Sequence, residues 1–175
     1  MGQSYLRLSA RWRTLRPVAT DKLPGNWLLA GAALTMLPGA KILDCRREAI
    51  ETCWSCYKQL FAKGMADFAY SFEGLSTYWH DYERLSQLWV ERYPTQFRVQ
   101  RYEDFVAEPE AEVRALLDFC GLPFDHACLN FHRAQRSIRT ASAAQVRQPL
   151  RRNTAISARY GELMAPLRLL LADAR

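Results

Sequence analysis

The chain has 175 residues, of which 49% are hydrophobic and 24% charged, with a net charge of +6. That composition is ordinary for a soluble globular protein, and the length fits one domain that can bury about 70% of its unfolded surface. No apolar run approaches the roughly 20 residues that cross a bilayer, so a membrane span is excluded. Positive charge falls in two acid-free stretches. Residues 1–20 carry Arg7, Arg11, Arg13 and Arg16, and residues 133–152 carry Arg133, Arg136, Arg139, Arg147, Arg151 and Arg152, which leaves the rest of the chain net acidic. Two short arginine clusters suit a local anion site better than the broad basic face of a general nucleic-acid binder, so no nucleic-acid partner is expected. Five cysteines without a leading signal peptide argue against a disulfide framework and for a reducing, cytoplasmic setting.

In chain order, Tyr5, Leu8, Trp12 and Leu15 recur at helical spacing, so residues 1–16 read as a basic amphipathic helix or linker. Their acid-free composition also matches a transit peptide. Residues 17–20 form a short extended candidate, followed by the turn-rich Asp21-Lys22-Leu23-Pro24-Gly25-Asn26. A helix is predicted over 27–37, stopped by Pro38-Gly39. Residues 41–45 read as a short buried strand that passes through Arg46-Arg47 into a helix over 48–61, with Ile50, Trp54, Tyr57 and Phe61 as its apolar stripe.

Glu48 and Glu51 in that first turn suit the positive helix end. Cys53-x-x-Cys56 lies inside the helix and reads as two buried thiols, because no second pair of metal ligands accompanies it. A long helix is predicted over 72–92, a strand over 97–102, and a helix from Pro109 to Cys120 stopped by Gly121-Leu122-Pro123. A last amphipathic helix covers 157–171. Strands alternating with helices imply a parallel α/β sheet covered on both faces, although three strands are few for one.

The chemistry concentrates around Arg47. Ligands of open α/β sheets bind beyond the carboxyl ends of strands, where helix N-termini offer free N–H groups to anions. Arg46 and Arg47 lie at such an end, and Ser55 follows Arg47 by about two helical turns on a shared face, so both side chains could converge on one phosphate. A plain ion pair at a strand end is the alternative. His80 is either a surrogate base, a lining residue of an acceptor pocket, or an ordinary half-exposed helix histidine.

Asp21 to Asn26, Gly31, Pro38-Gly39-Ala40-Lys41-Ile42-Leu43, Arg47 and Ser55-x-Tyr57 occur in an order that resembles the sulfotransferases using 3′-phosphoadenosine 5′-phosphosulfate (PAPS). So do Tyr102-Glu103-Asp104-Phe105, Pro109, Gly121 to Phe124, Thr140-Ala141-Ser142 and Gln145 to Pro149. The branch with tyrosylprotein sulfotransferases and their bacterial relatives is the most similar, and the resemblance covers roughly residues 17–170. It implies a three-layer parallel sheet of the P-loop nucleotide-binding type. It also implies that Arg47 and Ser55 hold the 3′-phosphate and that Tyr102 packs on adenine. Lys22 would lie near the transferring sulfuryl group, Ser142 would approach the 5′-phosphosulfate, and Arg147 would contact a phosphate.

PAPS would be the co-substrate, its product PAP a ligand, and a hydroxyl or tyrosine the acceptor; no metal is called for, and a homo-oligomer is a further option. Residues 1–20 contain neither the Gly-rich 5′-phosphosulfate loop nor an acid or histidine. The expectation is therefore a truncated sulfotransferase domain over 17–175, missing the central first strand and inactive alone. The alternatives are a catalytically dead PAP-binding or partner-binding remnant, and a basic interaction protein using residues 133–152.

Overall fold

The computed structural model describes residues 1–13, 18–134, 147–150 and 155–173. They form two compact units, one of Met1–Asp44 with Asp81–Arg98 and one of Cys45–His80 with Val99–Arg175.

In the first unit, helix α1 (Gly2–Ser9) continues as a 3-10 turn over Ala10–Trp12. Of the basic helix or linker predicted over 1–16, residues 2–12 are helical, and none of these is buried. Residues 18–20 are not a strand. A 3-10 stretch, Pro24–Leu29, leads into α2 (Ala30–Met36), which buries Ala30, Gly31 and Leu34. Leu34 lies one helical turn beyond the adjacent Ala30 and Gly31, so the three share one face. The absence of a side chain at Gly31 lets the Trp89 ring pack directly on the helix backbone. Trp89 Nε1 donates to the Trp27 carbonyl at 3.3 Å, and Trp27 meets Tyr82 edge-on at 5.7 Å. The Tyr82 and Ser86 hydroxyls both donate to the Asp44 carboxylate, each at 2.6 Å. This unit is thus held by aromatic packing and a short carboxylate network, in which Tyr82 and Trp89 are half-buried.

Strand β1 (Ile42–Arg46) pairs in parallel with β2 (Phe97–Arg101) in a two-stranded sheet. The molecule is a mixed α/β protein, and among the described residues the three predicted strands reduce to these two. The buried strand predicted over 41–45 is half-buried with Cys45 exposed, and among the described residues it has one paired neighbour.

In the second unit α3 (Ala49–Tyr57) ends earlier than its apolar stripe predicts. It buries Glu51 and Cys53 rather than the aromatics, and Tyr57 is exposed. Helix α4 (Phe72–Arg92) has the predicted bounds. Its first turns, in this unit, bury Leu75, Ser76 and Trp79. Tyr102, predicted as the end of a strand, instead opens helix α5 (Tyr102–Ala107), whose first turn carries Glu103 and Asp104. Glu108, the residue before Pro109, leaves helical geometry at φ −128°, as the proline ring demands, and α6 (Pro109–Cys120) follows. Gly121 closes α6 in the left-handed region at φ 68°, with the Leu122 N–H bonded to the Leu117 carbonyl. A 3-10 segment spans His126–Arg133. In place of one predicted terminal helix, a 3-10 stretch, Ser157–Met164, is kinked at Gly161 (φ 49°) and leads into α7 (Ala165–Ala172). No described helix is long and apolar enough to cross a membrane.

Candidate functional site

The carboxyl ends of β1 and β2 each deliver one candidate side chain to the same place. β1 ends at Arg46, so Arg47 stands between the strand and the first turn of α3. β2 ends at Arg101, so Tyr102 opens α5. The Arg47 guanidinium carbon lies 6.0 Å from the centre of the Tyr102 ring, which is half-buried. A cation and an aromatic face at this separation attract one another and present a charged fork beside a flat surface.

Two carboxylates shape this corner. Glu103 Oε1 accepts the Glu48 N–H at 2.9 Å, which satisfies an amide at the start of α3 and places negative charge at the positive helix end. Glu51 lies one turn along α3 from Arg47, with its side chain 3% exposed against 29% for the arginine. An Arg47 terminal nitrogen donates to Glu51 Oε2 at 3.1 Å. The same carboxylate accepts the Ile156 N–H at 3.0 Å and the Ser157 N–H at 2.7 Å. Burial by itself pushes the Glu51 carboxyl upward. The hydrogen bonds from Ser157 and Ile156 and the Arg47 charge outweigh it and hold the group below the usual carboxylate range. The ion pair weighed from sequence is therefore present, and it coexists with the exposure that an anion would need.

The other predicted residues distribute as follows. Ser55 is exposed on α3, two turns beyond Arg47 and on the same side of the helix as Glu51. Arg147 is exposed in a turn of the second unit, whereas Lys22 is exposed in the first unit, just before Pro24. Ser142 lies outside the described residues. His80 is half-buried, and its Nε2 donates to the Leu170 carbonyl at 3.0 Å, a bond that ties α4 to α7. Cys53 is 2% exposed, and burial pushes its thiol up to about 12, with the neighbouring Cys56 adding to the effect. The Cys56 thiol is also raised by burial, so both are poor nucleophiles and poor ligands. Among the described residues, no group of three or more His, Cys, Asp or Glu side chains is arranged to hold a metal ion. A cleft of about 450 Å³ in the second unit is lined by residues of α5, α6 and the 126–133 segment, among them Phe105, Val113, Phe131 and His132. Neither Arg47 nor Tyr102 lines it.

Sequence reasoning singled out Arg47 and Tyr102, which the structure brings near one another, but missed the hydrogen bonds that Glu51 and Glu103 make. Glu51 stands four residues after an arginine, the spacing of a helical ion pair, and that signal was available. Nothing local connects Glu103 with Glu48.

Two paired parallel strands, with an arginine and an aromatic ring following their carboxyl ends, define a mixed α/β protein. A family model described as the sulfotransferase family matches residues 1–126, and the chain belongs to that family. It is also 30% identical over 174 residues to an uncharacterized protein of Aquifex aeolicus (strain VF5). That similarity takes in 98% of this chain and 23% of the relative, so the chain spans about a quarter of the length of that protein.

Proposed function

We propose that the chain binds the nucleotide of a PAPS-dependent sulfotransferase, with a hydroxyl or a tyrosine phenol as acceptor. Family membership supports sulfuryl transfer, and the observation that carries the nucleotide reading is the convergence of Arg47 and Tyr102. The residues suit the ligand. A guanidinium offers forked donors to a phosphate, and a half-buried ring offers a face to adenine. In this reading Arg47 and Ser55 hold the 3′-phosphate, Tyr102 packs on the base, and Arg147 adds charge to a phosphate. Lys22 and Ser142 act at the sulfate end, where Lys22 neutralises charge developing on the leaving phosphate. When bound, PAPS supplies an activated sulfuryl group whose sulfur–oxygen bond to phosphate breaks as the acceptor oxygen bonds to sulfur. The paired strands would belong to a three-layer sheet of the P-loop type.

The second reading is a PAP-binding protein without catalysis. It is favoured by the Arg47–Glu51 pair, which already engages part of the guanidinium. The test common to both is calorimetric titration with 3′-phosphoadenosine 5′-phosphate (PAP) and with 5′-AMP. PAP is expected to bind at least about tenfold tighter, a difference of about 1.4 kcal/mol, and Arg47→Ala to erase that difference. Equal affinities, or no binding by a chain that circular dichroism shows to be folded, would overturn the nucleotide reading.

A further inference from the structure

Glu51 is an acid buried in the first turn of α3, and its carboxylate accepts from the Arg47 guanidinium and from the Ile156 and Ser157 amides. A carboxylate removed from water must be compensated by donors or charge. One donor is the arginine assigned to the 3′-phosphate. The other two are backbone amides that lie 105 and 106 residues away, where the segment Ser157–Met164 begins. That segment is anchored by Met164 and, in the following α7, by Leu167, both fully buried, and by Tyr160, whose ring meets Trp54 of α3 at 4.6 Å. Oε2 is shared, receiving both the Arg47 guanidinium and the Ile156 N–H.

We propose that Glu51 is a positioning residue that couples phosphate binding at Arg47 to the docking of residues 156–172 on α3. The inference rests on the nucleotide reading of Arg47 and adds to it a regulatory contact within the same unit. A phosphate that takes up part of the guanidinium leaves more of Oε2 for the Ile156 amide, so the ligand tightens the clasp on the C-terminal segment. Linkage is reciprocal, so loosening that clasp weakens binding of the phosphate by the same factor.

Amide hydrogen exchange on the full chain tests this, with PAP as ligand and 5′-AMP as the control lacking a 3′-phosphate. PAP is expected to slow exchange of the Ile156 and Ser157 amides by about fivefold or more, within the usual range of coupling between sites, and 5′-AMP to leave them unchanged. In Glu51→Gln the ligand-dependent slowing disappears, which a merely structural cap would not cause. A second variant, Ile156→Pro, removes one donor at a position whose φ of −73° suits proline. It is expected to weaken PAP about fivefold while leaving 5′-AMP unchanged, and it decides the question if Glu51→Gln does not fold. If PAP binds no tighter than 5′-AMP to the unaltered chain, the nucleotide reading fails and takes the coupling with it. If PAP is selected but the two amides do not respond, or if Ile156→Pro keeps full selectivity, the coupling alone is overturned.

Discussion

Replacing Gly31 with alanine should destabilise the chain, although alanine is the better helix former. A Cβ at this position would lie 2.6 Å from Cζ3 and 3.1 Å from Cζ2 of Trp89, well inside normal contact. The indole cannot swing away without loosening the 3.3 Å bond from Nε1 to the Trp27 carbonyl. Overpacking of this kind costs about 1–3 kcal/mol, and the gain in helix propensity offsets about 1 kcal/mol of it. The net loss is about 1 kcal/mol, so urea unfolding with a slope of about 2 kcal/mol/M should show the midpoint lowered by about 0.5 M. Gly25→Ala is the control, because a Cβ there meets nothing within 4 Å, and its midpoint should stay within experimental error of the parent. Combining Gly31→Ala with Trp89→Phe should recover part of the loss, since the smaller ring makes room. A rise in the midpoint of Gly31→Ala, as for a solvent-facing helix glycine, would refute the packing of Trp89 on α2.

Glu51 makes stability depend on acid. Its folded pKa lies below the ordinary glutamate value of 4.5, so its contribution is complete above that pH and is lost as pH falls through the folded value. Thermal unfolding should therefore show a steeper fall in Tm below pH 4.5 for the parent chain than for Glu51→Gln, and parallel curves would remove Glu51 from the account. The thiols should separate by reactivity in the folded chain. Alkylation followed by mass spectrometry is expected to find exposed Cys45 and Cys128 labelled first, and Cys53 labelled only on unfolding. Labelling of Cys53 as fast as Cys45 would show that α3 opens under native conditions.

Local signals carried the helices whose ends are written in adjacent residues. Phe72–Arg92 is closed by Tyr93-Pro94, and Pro109–Cys120 has a proline at its start and a left-handed glycine after its end. Arg47 was legible for the same reason, since a strand followed by arginine and a helix start lies within a few residues. Tyr102 was named as a site residue while its conformation was misjudged, because the alternation of residues 97–102 is interrupted by a helix that begins on the tyrosine itself.

What remained for the tertiary structure were the features whose partners are far along the chain. Chain length and composition could say that a core forms, and the order of motifs could point to a sulfotransferase. Neither could say that Trp89 fills the space left by Gly31, that Glu103 caps α3, or that Glu51 is buried against amides more than a hundred residues away. Helix propensity and capping act over one or two turns and are therefore written locally. The burial of a charge depends on which donors the whole fold brings to it, and only the folded chain decides that.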